Sequence, residues 1–173
     1  AEDLPFSIKD IPDVFTNFRK KTEKDAIIRE AFDAPTEIKS TEIPQLFLPT
    51  LEELNLTFTP IDSRAVLPFK GGETEAIARL NHYFFETNCI SEYKETRNGL
   101  IGADYSSKFS PWLAMGCISP RFINYELKKY ESQFGANELT YWLIFELLWR
   151  DYFRFMMKKY NVKLFQQAGI QNK

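Results

Sequence analysis

Residues 141–157 read YWLIFELLWRDYFRFMM. Apolar side chains surround the whole circumference of the helix this pattern predicts, so the helix is expected to be buried on nearly every side. Asn137 is placed to cap it, and the pattern carries it from about Glu138 to about Tyr160. So much apolar surface this far along a chain of 173 residues can be covered in two ways. Either the upstream helices and connector wrap it, or its cover is further sequence, a second copy of the chain or a ligand. Within the helix, Glu146 and Arg150 stand at i and i+4 and share a face. Isolated buried charges are expensive. The two therefore form a structural ion pair, or they line a polar cavity in which Arg150 holds an anionic group and Glu146 a hydrogen-bonding substrate.

Upstream, Ser110-Pro111 and Ser119-Pro120 each set a capping serine before a proline at the first helical position. Gly116 and Gly135 are placed to end the two helices that follow. Gly71-Gly72 leads into a helix with Ala76, Ile77, Leu80 and Phe84 on one face and acidic residues in its first turn. A short helical segment spans 92–96. Between 35 and 68 prolines recur at 35, 44, 49, 60 and 68, which predicts an extended linker laid over a surface. One short helix is expected within it, since Thr50 and Glu53 fit a capping box. Near the N-terminus Val14, Phe15 and Phe18 give a helix with a narrow apolar face. No alternating strand or internal repeat is found. The chain is expected to be mainly α, with a helix and proline-containing linker over 1–68 and a helical domain over 69–173.

Hydrophobic residues make up 44% of the chain, which excludes disorder as its default state. Aromatics make up 16%, so the chain is tightly packed or presents apolar surface to a partner. The formal net charge is −2, so nucleic acid must be met by a local basic patch rather than a bulk field. Two cysteines without CxxC spacing and a single histidine leave little for a metal site or a Ser-His-Asp triad; no metal is expected. His82 reads as a partly exposed structural residue, Cys117 as a small buried one and Trp112 as core. Lys128-Lys129 and Lys158-Lys159 suit helix C-termini. The acidic start, the reduced-cysteine pattern and the lack of a long apolar run predict a soluble, intracellular protein without a signal peptide or membrane span.

Residues 93–110, YKETRNGLIGADYSSKFS, gather features suited to phosphate. Arg97 and Lys108 bring positive charge, and Gly99 and Gly102 permit close backbone approach. Ser106, Ser107 and Ser110 offer hydroxyls, and Ser110 stands at a helix start whose amides favour an anion. A capped loop with solvated charges fits the same residues.

The run YKETRNGLIGADYSSKFSPWLAMGCISPRFI, followed by TYWLIFELLWRDYFRF, closely resembles the flavin-domain signature of the photolyase/cryptochrome family. The preceding FKGGETEAIARL and DIPDVFTNFRKKTE point to its DASH branch. The likeness runs from about Leu4 to about Phe165 and is least distinctive over 25–62. It implies a partial helical FAD-binding domain. In it Tyr93 and Arg97 border the flavin pocket, Ser106, Ser107, Phe109 and Ser110 hold the FAD diphosphate and ribityl chain, and Arg150 lies at the cofactor. It further implies that Glu146 and Trp149 contact a lesion in DNA, and that Lys108 and Arg121 meet DNA phosphates. Members of this branch favour single strands.

Full members carry an α/β antenna domain before this segment and the second half of the flavin domain after it. The resemblance therefore implies a truncated member that resembles deoxyribodipyrimidine photolyase without its complete photorepair machinery. Three functions follow as expectations. The first is binding of single-stranded DNA with at most partial competence for FAD. The second is photolyase or blue-light receptor activity in a full-length or self-associated protein. The third is a non-catalytic module forming a homo-oligomer or domain-swapped dimer.

Overall fold

The computed structural model describes residues 3–41, 44 and 46–170 of the chain. Six α-helices follow in order: α1 Phe15–Asp25, α2 Glu73–Asn81, α3 Tyr93–Thr96, α4 Ser110–Met115, α5 Pro120–Phe134 and α6 Glu138–Tyr160. Among the described residues there is no β-strand, and residues 26–72 contain no helix. The mainly helical architecture with a long extended linker is as the sequence predicts. No helix among the described residues is long and apolar enough to cross a membrane.

Helix α6 is the spine. Asn137 closes a full capping box with Thr140, its Oδ1 accepting from the amides of Leu139 and Thr140 at 2.8 Å each. One face of the helix, with Leu143 and Leu147, packs into a core built by α2, α3, α4 and α5. Its other apolar face, with Tyr152 and Met156, is covered by Ile11, Phe15 and Phe18 from the N-terminal segment. Two clusters thus share one helix, which is why its apolar residues run all the way round. The cover is neither complete nor supplied by the linker, for Phe153 stays 58% exposed and Met157 50%. Across 46–58 the linker stands in solvent, with Phe47 and Leu48 among its exposed residues.

Helix α2 does not stop at Asn81 but widens into a π turn, His82–Glu86, closed by Thr87 N donating to His82 O at 3.0 Å. The extra residue in that turn brings the neighbours Tyr83 and Phe84 both into the core, where neither is exposed. Tyr83 and Phe84 then meet Phe109 at centroid distances of 6.4 and 6.1 Å, joining α2 to the loop before α4. Trp112 is also core, its Nε1 donating to Lys70 O at 2.8 Å.

Three local expectations are corrected. Ser119 caps α5 as expected, accepting from Phe122 N at 3.0 Å. Ser110, however, is the first residue of α4 and not its cap; Phe109 occupies that position with helical angles and no side-chain bond. Thr50 and Glu53 do exchange the two capping-box hydrogen bonds, at 2.7 and 3.2 Å, but they close a turn and no helix follows. Val14 precedes α1 and is largely exposed, leaving Phe15 and Phe18 as the buried face.

The N-terminal segment is pinned by polar contacts as well as aromatic ones. Asp13 Oδ1 accepts from Lys159 Nζ at 2.7 Å and Tyr160 Oη at 2.5 Å, while Tyr152 Oη donates to Asp13 O at 2.6 Å. The Lys159 and Tyr160 hydrogen bonds hold the Asp13 carboxyl below the usual carboxylate range. A folded-state pKa that is depressed gives stability present above the unfolded value, near 3.9, and lost as pH falls through the folded value. Asp13→Asn is therefore expected to flatten the acid side of the stability profile below about pH 4. Thermal unfolding of both proteins through that range checks it, and parallel profiles would mean that Asp13 contributes no such linkage.

Candidate functional site

The loop between α3 and α4 is held from behind by Arg79, a buried residue in the last turn of α2. Its guanidinium donates to Ser107 O at 3.0 Å, Ala103 O at 2.9 Å, Ser106 O at 3.0 Å and Asp104 Oδ1 at 2.7 Å. It also stands 5.3 Å from the centroid of the Tyr83 ring. Asp104 is shared with His82, whose Nε2 lies 3.3 Å from both carboxylate oxygens. Desolvation by burial raises the Asp104 pKa, but the bonds from Arg79 and His82 more than offset it and hold the carboxyl below the ordinary value.

In front of the loop, Arg97 Nη1 forms an ion pair of 2.7 Å with Glu146 Oε1. This pairing crosses from the end of α3 to the middle of α6. It replaces the Glu146–Arg150 pair that the i, i+4 spacing allowed, since Arg150 bonds Asp151 Oδ1 at 3.1 Å. Burial pushes the Asp151 carboxyl up, with Arg150 and Arg154 pulling the other way. The Tyr93 hydroxyl lies among these groups. Burial, with a smaller contribution from the Glu146 charge, pushes its pKa up to about 12, against Arg97 and the Ser107 hydroxyl. It is therefore a neutral hydroxyl near pH 7.

Of the residues singled out in the sequence, Tyr93, Arg97, Ser107 and Glu146 come together here, with Phe109 buried beneath them in the shared core. Ser106 is partly exposed and Ser110 is exposed at the start of α4. Lys108 takes a left-handed backbone, φ 59°, and its Nζ lies 3.4 Å from the centroid of the Tyr105 ring. Trp149 lies in the second cluster, stacked on Phe15 at 3.5 Å between centroids. Arg121 lies elsewhere, 3.5 Å from Asp3, in a groove of about 720 Å³ shared with Arg154 and Lys158.

Sequence reasoning missed Arg79, Asp104 and Trp142. The indole of Trp142 is flanked by Lys94 Nζ at 5.4 Å and Arg97 Cζ at 5.2 Å, a cation–aromatic cluster beside the ion pair. For Arg79 a signal was available. It occupies i+3 in the apolar series Ala76, Leu80 and Tyr83, a core position where arginine must find buried acceptors.

Gly99 is the tight point of the loop, because a Cβ there would lie 3.0 Å from Tyr105 Cβ and Cγ and 3.2 Å from Thr96 O. Gly99→Ala is expected to cost about 1–3 kcal/mol in denaturant unfolding as Tyr105 is displaced. A variant as stable as the parent would mean that the loop yields freely.

The donor set suits an anionic, phosphate-bearing cofactor: serine hydroxyls, glycine hinges, a left-handed Lys108 and neighbouring arginines. Among the described residues no cluster of His, Cys, Asp and Glu suits a metal ion. By its helical fold and by its likeness to known proteins along its whole length, the chain belongs to the cryptochrome/photolyase family.

Its likeness is to the DASH branch. It is 51% identical over 175 residues to the Cryptochrome DASH of Danio rerio, with 99% of this chain and 34% of that protein covered. It is 52% identical over 181 residues to that of Synechocystis sp., covering 99% of this chain and 35% of that one. A solved structure of the Synechocystis sp. PCC6803 cryptochrome matches with a TM-score of 0.91 at 53% identity, covering 99% of this chain and 36% of that one. The chain thus spans about a third of the length of the relatives it matches. No family model matches it.

Proposed function

We propose that this chain forms one side of the flavin site of a DASH-type cryptochrome and presents part of a surface for single-stranded DNA. Ser106, Ser107, Phe109 and Ser110 hold the diphosphate and ribityl chain of FAD, with Tyr93, Arg97 and Arg150 at its border. Bound there, FAD supplies light absorption and one-electron chemistry. The chain's own residues bind and orient: Tyr93 donates a hydrogen bond, the arginines offset negative charge, and the core beneath Phe109 keeps water from below. Glu146, held toward the loop by Arg97, faces the polar edge of an unpaired base. Trp149 meets that base only on the rim that Phe15 leaves uncovered, and Lys108 with Arg121 meets phosphates.

The observation that carries the reading is the 2.7 Å Arg97–Glu146 bridge, which draws the phosphate-suited loop and the lesion-suited helix to one place. The test is an absorption spectrum of the protein after incubation with FAD and gel filtration. Retained oxidised-flavin bands are expected, and a colourless protein overturns the flavin reading. For DNA, fluorescence anisotropy with a labelled single strand is expected to give salt-sensitive binding that weakens in Lys108→Ala. Binding that ignores salt and this substitution overturns the nucleic-acid reading.

A further inference from the structure

We infer that Arg79 is a positioning residue for the cofactor loop, fixing which way its peptide groups face; the inference rests on the flavin reading above. Three of its four hydrogen bonds go to carbonyls, those of Ala103, Ser106 and Ser107. In a trans peptide the N–H points opposite to its C=O. Turning the Ser106 and Ser107 carbonyls inward to the guanidinium therefore turns the amides of Ser107 and Lys108 outward, on the side away from α2. Lys108 follows in the left-handed region, φ 59°, and Phe109 returns to φ −73° and ψ −12°. That left-then-right alternation makes successive N–H groups converge, the shape that receives an anion. Among the described residues, neither Ser107 N nor Lys108 N donates to a backbone carbonyl.

Only arginine suits this task. Its five donors lie in one rigid plane, so a single side chain bonds carbonyls four residues apart together with a carboxylate. A lysine would bring the charge without the fork. Burying the cation is offset by Asp104 at 2.7 Å, which His82 steadies from the other side at 3.3 Å. The core side of the guanidinium is closed by the Tyr83 ring, 5.3 Å away. Arg79 itself does not reach the cofactor; it acts through the loop.

The test compares the whole chain with Arg79→Lys and Arg79→Met by two readouts, limited trypsin digestion and FAD titration followed by flavin fluorescence. In the free proteins, cleavage after Lys108 is expected to quicken about tenfold or more in both variants, while cleavage after Lys128 and Lys129 proceeds as before. FAD affinity is expected to fall about 10- to 100-fold in both, as for lost hydrogen bonds to a charged group. Unchanged cleavage after Lys108, or FAD affinity within about threefold of the parent, overturns the inference. Should Arg79→Met not fold, Arg79→Lys with Asp104→Asn carries the same comparison. A parent protein that binds no FAD sinks the flavin reading, while the cleavage contrast still decides whether Arg79 holds the loop.

Discussion

Phe84→Ala is expected to destabilise the protein by about 3–5 kcal/mol, the usual result of emptying an aromatic site in a closed core. Phe84 is fully buried and touches four other rings, with centroid distances of 6.5 Å to Tyr83, 6.1 Å to Phe85 and Phe109, and 6.2 Å to Tyr130. Those partners come from the π turn, the site loop and α5, so no single segment can slide into the space. The same substitution removes the support beneath Phe109. Loosening of the loop is expected to accompany the loss of stability, seen as faster trypsin cleavage after Lys108. Urea unfolding measures the first effect. A change below about 1 kcal/mol would mean that this core collapses readily around the gap.

Phe18→Ala is expected to free the N-terminal helix without unfolding the rest. Phe18 is buried against Phe6 at 5.7 Å, Tyr152 at 5.3 Å and Phe155 at 6.4 Å, all in the second cluster. A loss of about 3–5 kcal/mol there exceeds what the surrounding polar pins can replace. Arg19, Lys20 and Lys21 lie within the released segment, so trypsin cleavage at these sites is expected to accelerate by roughly 10²- to 10³-fold. The fragment left behind should keep its helical circular dichroism. If the whole chain instead melts in one step, the two clusters form a single cooperative unit and the local-opening account is wrong.

Much of this architecture can be read from residue types, because the strongest signals were local. Ser119-Pro120 and Asn137 each start a helix through bonds to amides two or three residues away, so spacing suffices to find them. The Thr50–Glu53 box misled for a related reason. Two reciprocal bonds can close a turn, but helix growth needs a buried face, and Leu51, Leu54 and Leu56 are exposed. Long-range pairings were the harder part. Glu146 had a partner at i+4 in Arg150, yet Arg97, just past the end of α3, takes its charge, which no periodicity reports. The loop's hydroxyls and glycines were legible as composition, whereas its conformation depends on a guanidinium more than twenty residues upstream.

Among the described residues, 26–72 carry no helix and 33–41 are exposed throughout. Lengthening such a connector costs little, since each doubling of a flexible loop adds only about 0.6 kcal/mol of closure entropy. An epitope, a fluorophore-labelling sequence or a small reporter domain spliced between Pro35 and Ser40 should thus leave both clusters and the loop before α4 undisturbed. The connector is a natural splice point for engineering, offering a handle for surface immobilisation or single-molecule work on the flavin loop without touching any residue that shapes it.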